Sequence, residues 1–242
     1  MSEFKLVRAY LLSRLDAQGA GSGVTIVESE RRQRCEMSYG SIHMIWIAAF
    51  GNCVVASLPP NAGDAIKLYL QANLGKADIT DKAFIAQLKP MVNSEARCYS
   101  DLMFACDAET LAPANPNVTP VRITGDRFKC SKDIHYPAHC LPDGIVYAVV
   151  EKDKIVSVAY AHQTGEYQDI VADIGVESSK SYRQRGYARA CVNAVARHVI
   201  ENGGESLYKC SPDNLASINT TLSAGYKPYG KSLIFFVTPE EK

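Results

Sequence analysis

A chain of 242 residues is longer than one small domain needs and suits two of about 100–140 residues each. Hydrophobic residues make up 47% and charged residues 21%, a globular composition that excludes a disordered chain. Lys+Arg 26 against Asp+Glu 26 leaves no formal net charge, which excludes the basic footprint of a nucleic-acid binder.

Eight cysteines (Cys35, Cys53, Cys98, Cys106, Cys130, Cys140, Cys191 and Cys210) are scattered without a Cys-x-x-Cys pair. Met1–Arg14 interleaves charges with apolar residues, unlike a secretory leader. The expectation is a cytoplasmic protein whose reduced thiols serve as small hydrophobes. Residues 5–15 have the spacing of a short amphipathic helix. The run Gly19-Ala20-Gly21-Ser22-Gly23 precedes the strand Val24–Glu28 instead of following one, and it lacks a Gly-Lys-Ser/Thr ending. It reads as linker rather than phosphate loop. No Asp, Glu, Lys or Arg falls between Glu36 and Asp64. The apolar part of that stretch is shorter than the ~18–20 residues of a membrane span. Gly51-Asn52 divides it with hairpin chemistry, giving strands at Ile42–Phe50 and Cys53–Leu58. Asp64–Asn73 and Asp81–Lys89 have helical spacing, and Pro90 is expected to stop the second. Residues 1–95 thus read as an N-terminal α/β domain with no catalytic motif.

Residues 96–242 read as a second domain. Ala112–Asn117 holds two prolines and two asparagines and is a loop, Val121–Thr124 is a short strand, and Cys130–Asp143 is irregular. Ile145–Val150 and Ile155–His162 are strands joined by the charged turn Glu151–Lys154, and Asp169–Val176 is a further strand. Helix and strand then alternate through Gly186–Asn202, Ser206–Cys210, Pro212–Ala224 and Ser232–Thr238.

The chemistry lies between Asp173 and Ala190, where a strand enters a loop that opens directly into a long helix. Ala188, Cys191, Val192, Val195, Ala196 and Val199 recur at helical spacing, with Arg189, Asn193, Arg197 and Glu201 opposite, so this helix packs on a sheet. Its first N–H groups carry partial positive charge toward the loop. Gly186 and Ala188 keep the backbone bare, and Arg183, Arg185 and Arg189 add full charges. Such a loop suits a polyphosphate ligand. A second helix follows Ser211-Pro212-Asp213-Asn214, with Ser211 as cap, Leu215, Ile218 and Leu222 as apolar stripe and Gly225 as terminator.

From about Ile145 to Val237 this layout resembles the GNAT superfamily of acyl-CoA-dependent N-acetyltransferases. Two motifs carry the resemblance. Arg183-Gln184-Arg185-Gly186-Tyr187-Ala188 matches the family's acyl-CoA loop, and Asn214, Ser217, Gly225 and Tyr226 match its Asn-x-x-Ser/Ala…Gly-aromatic helix. The resemblance implies an α/β (α+β) fold: a mixed central sheet flanked by helices and splayed between two parallel strands, with an extra N-terminal α/β domain as in bacterial two-domain members. It implies acetyl-CoA as cosubstrate and no metal. The backbone at Ile174 and Val176 would pair with the pantetheine amides. Arg183, Gln184, Arg185, Gly186, Tyr187 and Ala188 would cradle the pyrophosphate, and Asn214 and Ser217 would lie near the pantetheine arm.

The implied reaction moves an acetyl group to the primary amine of a small acceptor by direct attack, without an acyl-enzyme. A backbone N–H near Val176 would stabilise the oxyanion. Asp173, sharing a strand face with Asp169, is the candidate base. The general acid is unassigned, because the family's usual tyrosine, seven residues after the asparagine, is Thr221 here. The loop from Val176 to Arg183 is also longer than in most members. Two alternatives stay open: a non-catalytic acyl-CoA-sensing module, or an N-acyltransferase using longer acyl chains. Acceptor recognition, or a lid, would fall to residues 1–95 and to loops such as Cys130–Asp143. No nucleic acid or membrane partner is expected, and a homodimer is compatible with this reading. Cys130, His135, His139 and Cys140 lie close in sequence, but their spacing fits no metal pattern and reads as structural. His162 ends a strand and reads as structural or as facing the sheet opening.

Overall fold

The computed structural model describes residues 3–36, 40–125, 128–135, 144–162 and 164–238. In chain order its helices and strands are α1 (Lys5–Arg14), β1 (Gly23–Glu28), β2 (Cys35–Glu36), β3 (Ser41–Phe50), β4 (Cys53–Leu58), α2 (Asp64–Asn73), α3 (Lys82–Val92), β5 (Arg97–Cys106), β6 (Val121–Arg122) and β7 (Lys129–Cys130). There follow β8 (Val146–Glu151), β9 (Lys154–Ala161), β10 (Val171–Ser178), α4 (Tyr187–Ile200), β11 (Glu205–Cys210), α5 (Leu215–Ser223) and β12 (Lys227–Val237). Two compact units interleave along the chain. The N-terminal unit gathers residues 8–103, 211–213 and 229–242, and the C-terminal unit gathers residues 1–7, 104–210 and 214–228.

In the N-terminal unit the strand order is β1-β4-β3-β12, with β1–β4 parallel and the other pairs antiparallel. The uncharged stretch is a hairpin, as its turn residues predict: Phe50 pairs with Cys53 across Gly51-Asn52, and Gly51 takes φ 56°. One face packs Ile45, Ile47, Leu58, Leu233 and Phe235 under Leu70 of α2 and Phe84 and Leu88 of α3. Pro90 does not end α3, which runs on to Val92; in the last turn its missing N–H costs a single ladder bond. A register shift between Phe235 and Phe236 leaves Met44 as an extra residue in β3. The bulge turns His43 onto the face of Trp46, where the two rings meet edge-on at 5.8 Å. There Trp46 lies between the guanidinium groups of Arg14 and Arg32, 5.8 and 5.6 Å from its centroid. Arg32 is 1% exposed and donates to Glu36 Oε1 at 3.4 Å and to the Arg14 carbonyl at 3.0 Å. Burial lowers the Arg32 pKa to about 10 even with Glu36 beside it.

In the C-terminal unit the order is β11-β10-β9-β8-β6, with β7 added parallel to β9. All of these pairs are antiparallel except β10–β11 and β7–β9. This is the mixed, splayed α/β arrangement expected from the sequence. Lys152 and Asp153 both take positive φ, 51° and 62°, which makes the β8–β9 connection a tight hairpin without glycine. Asp169 precedes β10 and is exposed, so it does not share the strand with Asp173. Among the described residues no helix is long and apolar enough to cross a membrane.

Candidate functional site

Strands β10 and β11 run parallel from Val171↔Glu205 to Ile174↔Tyr208, and there the pairing stops. β10 continues through Gly175–Ser178, and among the described residues its strand pairing there is with β9 alone, through Ser178↔Ser157. The hydrogen bonds fix which way its backbone points. Asp173 C=O accepts from His162 N–H at 2.8 Å, and Ser179 N–H donates to Val156 C=O at 2.9 Å, so odd-numbered residues bond toward β9. Ile170 C=O accepts from Glu205 N–H at 2.9 Å, so even-numbered residues point toward β11. Ile174 sits at the last rung. Val176 points its N–H and C=O to the side from which β11 has parted.

The two faces of β10 differ. Ala172, Ile174, Val176 and Ser178 lie on the face covered by helices: Ser178 Oγ meets Ser157 Oγ at 2.7 Å, and Cys191 of α4 donates to the Ser157 carbonyl. Tyr208, opposite Ile174, lies on this face beside Ser217 and Thr221 of α5. The far face carries Asp173, Gly175 and Glu177 beside Tyr160 and Val158, over a core that includes Ile123, Ile134, Val146 and Ala148. Asp173 is 1% exposed there and pairs with Lys209 Nζ at 2.7 Å. Tyr160 and His162 meet edge-on at 5.2 Å.

Beyond β10 the chain makes a 3-10 turn at Lys180–Tyr182 and enters α4 through Gly186, which takes φ 77°. Gln184 is also left-handed, at φ 61°. Gly186 caps α4 without a side-chain hydrogen bond, so the first N–H groups of the helix have no capping side chain. A Cβ at Gly186 would meet only the Asn115 amide, at 3.5 Å. Arg183, Gln184 and Arg185 are exposed, with Arg183 reaching the Ser178 carbonyl and Arg185 stacked 5.0 Å over the Tyr182 ring. Tyr187 turns away and donates to Glu151 at 2.7 Å. An anion meeting this helix end would find bare backbone and two flanking guanidinium groups.

Asn214 caps α5, its Oδ1 accepting from Ser217 N–H at 3.1 Å; the helix begins at Leu215, and Ser211 is not its cap. Gly225 at φ 99° passes so close to the 110–112 segment that a Cβ would lie 2.2 Å from the Thr110 carbonyl oxygen. The glycine of the second motif is therefore demanded by packing. Thr221 is fully buried and donates to the Ser217 carbonyl at 2.8 Å. Tyr226 is also buried, its hydroxyl 2.6 Å from Ser206 Oγ, and burial raises its pKa well above the ordinary tyrosine value. Burial pushes the Cys191 thiol up to about 12, which disfavours the thiolate a nucleophile needs.

Several neighbours of the site were not foreseen from sequence. Asp133 accepts from Lys180 N–H at 2.8 Å, and Glu177 accepts from His135 N–H at 2.7 Å, which ties residues 133–135 to the end of β10. Lys209 and Tyr160 are likewise placed by pairing register, though alternation along β9 could have put Tyr160 and His162 on one face. His139 and Cys140 lie outside the described residues. Among the described residues no group of three or more His, Cys, Asp or Glu side chains is gathered to hold a metal.

Residues 117–226 match the family described as "Acetyltransferase (GNAT) family". No curated protein matches the sequence. Among solved structures, a GNAT-family acetyltransferase from Colwellia psychrerythraea is 13% identical at a TM-score of 0.52, covering 98% of this chain and 97% of its own. A tandem GNAT protein from the clavulanic acid biosynthesis pathway is 12% identical at a TM-score of 0.43, covering 98% and 96%. A GCN5-related N-acetyltransferase from Kribbella flavida is 14% identical at a TM-score of 0.44, covering 71% and 66%. The Colwellia likeness shows a common fold. Residues 117–226 of this chain thus form a GNAT-family acetyltransferase domain.

Proposed function

We propose that the protein transfers the acetyl group of acetyl-CoA to a primary amine of a small molecule by direct attack. The observation that carries this reading is the parting of β10 and β11 after Ile174↔Tyr208, immediately before the left-handed Gly186 and the uncapped start of α4. The pyrophosphate would lie on the backbone from Gly186 to Ala188, between Arg183 and Arg185. The pantetheine arm would pair with Val176 and Ile174 and pass Asn214 and Ser217. As the carbonyl carbon becomes tetrahedral, the Val176 N–H would face its oxygen; such a fixed dipole costs no reorganisation during the reaction.

Helices cover one face of the opening, so the amine would approach from the other, where Asp173 lies. Asp173, ion-paired to Lys209, would take the proton the attacking nitrogen must lose. Acceptor recognition by residues 1–95, and by the segment around His135, belongs to the same proposal. The second reading, an acyl-CoA-sensing module, is favoured by Thr221, whose buried hydroxyl offers no acidic proton. Acetyl-CoA mixed with a panel of polyamines, aminoglycosides and amino acids, with free thiol followed, separates the two. Transfer to any amine supports the enzyme; tight coenzyme A binding without thiol release supports the module.

A further inference from the structure

Gly175 is the first residue of β10 beyond the last rung with β11, and its cross-strand partner is Tyr160. The tyrosine ring does not stay over its own strand. It leans across β10 so far that a Cβ on Gly175 would lie 2.5 Å from Cζ and 2.7 Å from the hydroxyl oxygen. The phenol end therefore occupies the space that any side chain at 175 would need, on the far face at the mouth of the opening. Gly175 has an ordinary negative φ, so the backbone does not demand glycine there. The ring does.

The ring is held in place. It is 7% exposed, packs in the core with Val146, Val158 and Ile155, and meets His162 edge-on. Because α4 and α5 cover the opposite face, a ligand whose phosphates rest at the start of α4 would bring its reactive end out on the face where this phenol stands.

We propose that Tyr160 is the wall that limits the acyl donor to short chains, acetyl being the one it admits best. This rests on the reading of the opening as an acyl-CoA site. The small acyl group fits between the Val176 backbone and the phenol. A chain several carbons longer must displace a ring wedged against bare backbone, and a close-packed interior yields poorly to such insertion.

The test is calorimetric binding of coenzyme A, acetyl-CoA and hexanoyl-CoA to the full-length protein, which needs no knowledge of the acceptor. Wild type is expected to bind acetyl-CoA about as tightly as coenzyme A, and hexanoyl-CoA at least about tenfold more weakly. Tyr160→Phe keeps the ring and should keep the discrimination. Tyr160→Ala should bring hexanoyl-CoA within a few-fold of acetyl-CoA while coenzyme A affinity holds. Should that variant fail to fold, Tyr160→Leu, which preserves apolar packing but shortens the reach, should show the same loss of discrimination. Equal affinity of wild type for the two acyl-CoAs, or unchanged discrimination in a folded Tyr160→Ala or Tyr160→Leu, overturns the wall. Failure of wild type to bind coenzyme A in any form overturns the site itself, and the wall with it.

Discussion

Asp173 and Lys209 form an ion pair at 2.7 Å in which the carboxylate is 1% exposed and the lysine side chain 13%. Removing one partner of such a pair leaves a buried charge uncompensated, at a cost of about 3–5 kcal/mol. Asp173→Asn should accordingly lower stability by about that amount. If Asp173 also takes the amine proton, turnover should fall about a hundredfold or more while coenzyme A affinity stays within a few-fold. The double variant Asp173→Asn/Lys209→Met separates the two roles. It should recover much of the stability in denaturant titrations and none of the turnover; recovery of both would make the pair purely structural.

Two glycines of the family motifs should respond very differently to alanine. At Gly225 a Cβ would lie 2.2 Å from the Thr110 oxygen and 2.4 Å from the Ala112 nitrogen, with φ at 99°. Backbone cannot yield as a side chain can, so Gly225→Ala should cost upward of about 3 kcal/mol. Gly186 meets only the Asn115 side chain, and Gly186→Ala should cost about 1–2 kcal/mol for its left-handed φ alone. Denaturant midpoints of the two variants check the order, and equal losses would contradict it.

Glu205 gives a pH signature with a definite sign. Burial raises its pKa, although its carboxylate accepts from Val7 N–H at 2.8 Å at the start of α1. A raised folded-state pKa means that the folded protein holds this proton more tightly than the unfolded chain. The associated stability is fully present below the unfolded value of about 4.3 and is lost as pH rises through the folded value. Glu205→Gln does not titrate. The stability of wild type relative to this variant should therefore fall as pH rises above the unfolded carboxylate value of about 4.3. A relative gain as pH rises would show that hydrogen bonding at the start of α1 outweighs burial.

Much of this architecture was legible because it is local. Gly51-Asn52 announced its hairpin, and the spacing from Ala188 to Val199 announced α4 and its buried side. Gly186 marked the turn into that helix. The pairs that shape the site are not local. Nothing near Asp173 in sequence names Lys209, and nothing near Gly175 names Tyr160; strand register supplies both. β5 escaped notice because Arg97–Asp101 mixes charged, polar and aromatic residues, and only Met103–Cys106 is buried. Ser211 and Asn214 are equally good capping residue types, and the backbone settles the choice by starting the helix at Leu215. The bulge at Met44, which turns His43 toward Trp46, leaves no mark in composition or alternation.

The central claim, that the opening beyond Ile174↔Tyr208 and the start of α4 hold an acyl-CoA, is tested most directly by calorimetric titration of coenzyme A into wild type and Gly186→Asp. Aspartate tolerates a left-handed φ better than most residues and has open space there, so the fold should survive, as circular dichroism would verify. Its carboxylate would stand where the pyrophosphate must approach the helix N-terminus. Binding to wild type, weakened at least about a hundredfold in the variant, is the predicted result. The same affinity in both proteins would contradict the account.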